Sequence, residues 1–163
     1  MLKVLGLDDE GLWRKTVKSF ARHDVYYLPE YTKAFRLHGD GEPQLIYFES
    51  GDTRAINVVM KRDIAEAAPF AGRLPEGTYD DFATPYGYGG FLIEGDCSNA
   101  AMDRVNAAYT EYCLDNNVVS EFVRFHPLLD NQDGLGPLYR IIPMGRTVTM
   151  DLSSPEVIRH NMS

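Results

Sequence analysis

Apolar and polar positions alternate along this chain in blocks whose period switches from extended to helical and back. Lys3 to Leu7 reads as a short strand, and Leu12, Trp13, Val17, Phe20 and Ala21 then recur at helical spacing. The spacing predicts a helix from about Glu10 to Arg22 that buries Trp13 in the core, with Asp8 and Asp9 supplying an N-cap and favourable charge. Pro29 in a first turn predicts a second helix through about Leu37, ended by the Gly-Asp-Gly-Glu-Pro run at 39–43. Gln44 to Glu49 and Arg54 to Arg62 are nearly continuous apolar runs joined by Ser50-Gly51-Asp52-Thr53. They predict a hairpin of central strands covered on both faces. Residues 63–80 show no period and predict a long surface loop.

Helical spacing returns at Met102, Val105, Tyr109, Tyr112 and Cys113, predicting a helix from Asn99 to Asp115 capped by Asp96 or Ser98 and closed by Asn116-Asn117. Val118 to His126 alternates like a strand, and Leu138 to Ile142 reads as a short strand. Arg146 to Leu152 alternates with Val148, Met150 and Leu152 on the expected buried side. Ser153-Ser154-Pro155-Glu156 is a helix start with few residues behind it. The expectation is one domain over 1–152, with 153–163 beginning a helix that leads to a second domain. A C-terminal helix docked on the sheet is the alternative.

Composition narrows the function. The 163 residues carry a formal net charge of −8, which argues against broad binding to nucleic acid or an anionic membrane. No apolar run is long enough for a membrane span. The two cysteines, Cys97 and Cys113, lack metal-ligand spacing and read as reduced thiols, predicting a cytoplasmic setting. The four histidines are scattered without metal spacing. No phosphate loop, dinucleotide fingerprint or nucleophile elbow is present. Positioning and proton removal remain as the open chemistry.

Two segments stand out as candidate chemistry. Thr84-Pro85-Tyr86-Gly87-Tyr88-Gly89-Gly90 interleaves glycines with aromatic side chains that have a polar tip. Glu121-Phe122-Val123-Arg124-Phe125-His126-Pro127 puts Phe122, Arg124 and His126 on one face of a strand, with Glu121 on the other as a second-site acid. Side chains two residues apart on a strand lie roughly 6–7 Å apart, so Arg124 and His126 are placed to hold one anionic or polar ligand between them. The expectation is that both segments line one pocket. Tyr86, Gly87, Tyr88, Gly89, Gly90 and Arg124 would bind substrate there, and His126 and Arg124 would act in catalysis, His126 as general base. For Arg124 the alternative is pairing with Asp80, Asp81 or Glu121.

The order Tyr26-Tyr27-x-Pro29-x-Tyr31, the tyrosine-glycine segment, Phe122-x-Arg124-Phe125-His126-Pro127-Leu128 and Thr147-Val148-x-Met150-Asp151-Leu152 resembles the N-terminal half of the Fem-type peptidoglycan-bridge aminoacyltransferases. The resemblance implies an α/β (mixed α+β) fold of the GNAT type, a mixed sheet flanked by helices, with a second GNAT-like domain as partner. It implies transfer of an acyl or aminoacyl group to an amino group of an amino-sugar or peptidoglycan-precursor acceptor. Acyl-CoA or aminoacyl-tRNA would be the donor in the full-length enzyme, and no cofactor would be bound by this domain. The resemblance implies that the second domain would supply much of the donor site; the chain departs from the family in having no Arg/Gln-x-x-Gly-x-Gly/Ala loop. Its lack of a lysine-rich stretch and its acidic balance favour a generic acyltransferase over a tRNA-dependent one, with no stable nucleic-acid binding expected. The competing readings are a non-catalytic module that holds a nucleotide-sugar or glycan, and a domain that only supports a partner.

Overall fold

A computed structural model describes residues 1–148 and 151–161. Strand β1 (Leu2–Leu5) leads through a 3-10 turn into helix α1 (Glu10–Lys18), and α2 (Pro29–His38) follows. The hairpin is β2 (Glu42–Ser50) and β3 (Thr53–Asp63); β4 (Asp80–Ala83) and β5 (Leu92–Glu94) come next. Helix α3 (Asn99–Asp115), strand β6 (Val118–Phe122) and helix α4 (Pro155–Asn161) complete the order. The mixed α/β expectation is met: six strands form one sheet, β1-β2-β3-β4-β6, with β5 also paired to β3. All pairings are antiparallel except β4 with β6.

The register explains where the tyrosine-glycine segment lies. One edge of β3 pairs with β2 along its whole length, Ser50↔Thr53 to Glu42↔Lys61. The other edge pairs with β4 at Met60–Asp63 and with β5 at Arg54–Ile56. β4 and β5 therefore lie along one strand line, and residues 84–91 loop out of it midway. Alternation along β3 divides the core. Ala55 and Val59 face α3 with Phe82, Phe91, Met102, Val105 and Tyr109. Ile56 and Val58 face α1 and α2 with Trp13, Val17, Phe20, Tyr27 and Leu45. Trp13 is fully buried as expected and donates its indole N–H to Tyr27 O at 2.8 Å.

Several local readings need correction. Helix α1 stops at Lys18, and Asp9 at its N-cap makes no side-chain cap bond. Leu12 and Ala21 face solvent, because the helix ends before Ala21 and its buried stripe is narrow. Ser98, not Asp96, caps α3, its Oγ accepting from Ala101 N–H at 3.3 Å. Asn117 adopts a left-handed φ of 54° behind that helix, as a helix-ending asparagine can. Strand β6 ends at Phe122 instead of His126, because its partner β4 ends at Ala83; beyond that, pairing survives only as the isolated bridge Gly89↔Phe125. Residues 138–142 form no strand, and Leu138 N–H closes a turn on Leu135 O. Val148 and Leu152 are exposed and extend no sheet, while Met150 lies outside the described residues. The Ser-Ser-Pro-Glu start is a real helix entry, with Ser154 Oγ accepting from Val157 N–H at 3.2 Å.

Candidate functional site

The two singled-out segments run side by side. Thr84 N–H donates to Phe122 O at 3.0 Å, and Gly89 N–H donates to Arg124 O at 2.9 Å. Two glycines make this approach possible. Gly87 has φ +107°, and a Cβ there would lie 2.3 Å from Tyr26 Cε1. Gly90 has φ +91°, and a Cβ there would lie 2.8 Å from the Phe125 ring. L-residues rarely adopt that backbone, and here the space is also taken. Asn131 locks the arrangement from outside: its side-chain amide donates to Gly89 O and Phe91 O, and its Oδ1 accepts from His126 N–H at 2.9 Å. Sequence pattern does not mark Asn131, since nothing in a polar loop reveals which distant backbone it will bind.

Arg124 and His126 both reach Tyr88, but their surroundings differ. The Arg124 guanidinium lies 4.9 Å over the Tyr88 ring, a cation–π contact. Its side chain is exposed, and among the described residues it forms no ion pair. The acids proposed as alternatives are engaged elsewhere: Asp80 with Lys61 at 3.0 Å, Asp81 with both arms of Arg62, and Glu121 within the opposite side of the sheet. Arg124 borders a cleft of about 270 Å³ with Thr84, Tyr86, Gly87, Phe122 and Arg62. Tyr86 stands at its edge, 73 % exposed, stacked on Phe35 with ring centroids 6.0 Å apart. Tyr31 donates its hydroxyl to Tyr86 O at 2.7 Å and steadies that backbone.

His126 is 3 % exposed and lies behind this cleft, its ring against Tyr88 and Tyr26. Leu128 N–H points at its Nδ1 from 3.1 Å, and Asp24 Oδ2 is 3.1 Å from its Nε2. A backbone N–H can only donate, so Nδ1 carries the lone pair and Nε2 the proton shared with Asp24. Neither nitrogen is free to take a proton from a ligand in this arrangement. The histidine instead ties the 126–131 turn to Asp24, a residue that the sequence showed only as one acid among many.

Tyr88, Gly89 and Gly90 form the wall between cleft and core, with Gly89 and Gly90 buried and Tyr88 half-buried. Tyr27 is fully buried and donates to Gly90 O at 2.9 Å; burial pushes its phenol far above the usual range. All seven sequence-predicted site residues thus meet, and three of them, Tyr86, Gly87 and Arg124, line the cleft. Among the described residues no group of His, Cys, Asp or Glu is placed to hold a metal ion, and no helix is long and apolar enough to cross a membrane. No family model, curated protein or solved structure matches the chain.

Proposed function

We propose that the Arg124 cleft binds the anionic part of a small acceptor, and that this chain is the acceptor-side domain of a GNAT- or Fem-like acyltransferase. The acceptor is an amino-sugar or peptidoglycan precursor, and the transferred group is acyl or aminoacyl, from acyl-CoA or an aminoacyl-tRNA held by a second GNAT-like domain. The observation that carries the reading is an exposed guanidinium, without a carboxylate partner among the described residues, held over Tyr88 beside the exposed Tyr86 ring. Arginine presents a planar fork suited to carboxylate or phosphate, and the Tyr86 face suits a sugar or base ring. The mixed sheet flanked by helices supports the GNAT-like assignment. With both His126 nitrogens engaged, this domain contributes binding and orientation, with His126 a positioning residue for the 126–131 turn.

A second reading, a non-catalytic nucleotide-sugar or glycan-binding module, is favoured by the same lack of a free base at His126. Titration with UDP-N-acetylglucosamine and with a peptidoglycan stem peptide, followed by NMR, tests binding at the cleft. Shifts at Tyr86, Gly87 and Arg124 that vanish in Arg124→Ala support the site; no shift at any of them removes it. With this chain joined to the second GNAT-like domain that holds the donor, incubating acceptor with acetyl-CoA, or with aminoacyl-tRNA, then separates the readings. N-acylated product supports the enzyme, and binding without product under every donor supports the module.

A further inference from the structure

The opposite face of β6 carries a second, independent polar site. Glu121 projects toward α3, where its Oε1 accepts from Asn57 Nδ2 at 2.8 Å. Its Oε2 accepts from Tyr109 OH at 2.9 Å and Tyr139 OH at 2.8 Å. Glu121, Tyr109 and Tyr139 all line a cleft of about 370 Å³ whose walls include Cys113, Val118 and Leu138. That volume is within the range of small-molecule sites. Asn57, fully buried in the middle of β3, has an Oδ1 with no hydrogen-bond partner among the described residues.

Counting donors and acceptors identifies what is missing. A carboxylate offers about four lone-pair positions, and three protein donors fill three of them. One acceptor position on Glu121 is left without a donor among the described residues, and so is Asn57 Oδ1, although Asn57 itself lies beneath the cleft and not on its wall. No lysine, arginine or histidine pairs with Glu121 among the described residues; Arg140 lines the same cleft but is exposed and forms no ion pair with it. A buried carboxylate without a cation is costly, and burial accordingly raises the Glu121 carboxyl above the usual range. The same surroundings push the Cys113 thiol up to about 11, burial first and Glu121 second. A single carboxylate with one thiol that stays protonated is a poor metal set, whereas a compact ammonium supplies three donors and the missing charge.

We propose that the cleft between α3, β6 and residues 138–140 is a binding site for a small primary amine, whose ammonium donates to the Glu121 carboxylate on the cleft wall. This inference does not rest on the Arg124 cleft. The test is an NMR titration of the whole chain, carrying 13C-labelled glutamate, with ethylamine and with ethanol as the uncharged match. Ethylamine is expected to move the Glu121 Cδ resonance saturably toward the ionised carboxylate, and ethanol to leave it unmoved. Thr110→Trp, at an exposed position lining the cleft, is expected to weaken ethylamine binding at least tenfold with the circular dichroism spectrum unchanged. Glu121→Gln should abolish the response of the neighbouring Tyr109 and Tyr139 resonances; if that variant does not fold, Thr110→Trp decides alone. A Glu121 resonance indifferent to ethylamine, or equally responsive in Thr110→Trp, overturns the proposal. So does a crystal structure grown in ethylamine that shows only water molecules in the cleft beside Glu121.

Discussion

The two faces of β6 and its continuation make opposite sites from neighbouring residues. On the α2 side, Arg124 stands exposed, held by one aromatic contact and by backbone bonds to the tyrosine-glycine loop. On the α3 side, Glu121 is fastened by three side chains from β3, α3 and the segment after it. The first charge is solvated and costs little to keep; the second is desolvated and stays only because its partners are in place. The difference teaches that charge on a strand says little about function until its solvation is known. Arg124 faces solvent, whereas Glu121 is tied into the fold by three side-chain hydrogen bonds even where it lines a cleft.

Disrupting the fastened side should have the largest effect. Glu121→Ala leaves Asn57 Nδ2 and two phenols without an acceptor and opens a void, so a loss of about 2–4 kcal/mol is expected in urea unfolding. A loss under half a kilocalorie would make the α3 cleft an ordinary surface and dissolve the contrast. Next comes the loop that separates the two sides. Gly90→Ala places a methyl 2.8 Å from the Phe125 ring at φ +91°, and thermal unfolding should report a loss of about 1–3 kcal/mol. An unchanged melting temperature would show that the loop does not need this backbone.

Arg124→Ala is expected to leave stability within about 0.5 kcal/mol while weakening an anionic cleft ligand about tenfold or more, which calorimetry reads directly. Loss of stability comparable to that of Glu121→Ala would mean that Arg124 is structural too. The smallest effect is in pH dependence. The folded Glu121 carboxyl titrates above its unfolded value because of burial, so the native state holds its proton longer. Stability therefore falls as pH rises from the ordinary carboxyl range through the folded value, and levels off above it. Melting temperatures of Glu121→Gln, measured from about pH 4 to neutrality, should lack that downward component. Parallel curves for both proteins would assign the acid no linkage.

Much of the fold was legible because its signals are local. The 44–49 and 54–62 runs announced a central hairpin, since a strand covered on both faces needs no alternation. The 102–113 spacing announced α3, and Gly39, at φ +95°, ends α2 where the glycine-proline run predicted. The two-residue step from Arg124 to His126 did put both against Tyr88. Other alternation misled: 138–142 and 146–152 read as strands, because a period of two names a face without naming a partner. Asn57 was invisible within its apolar run, although its carboxamide anchors Glu121.

Periodicity, caps and turn chemistry determined the helices and the hairpin, because each depends on residues a few positions apart, whereas the meeting of the tyrosine-glycine and Arg-Phe-His segments came from long-range sheet pairing. Tertiary structure alone decided which side chains water reaches. Asp24 lies far from His126 in sequence, yet with Leu128 N–H it closes off that ring; Asn57, Tyr109 and Tyr139 converge on Glu121 from three separate elements. Solvation and hydrogen-bond pairing are properties of what surrounds a group in space, and they are what make Arg124 available and His126 not.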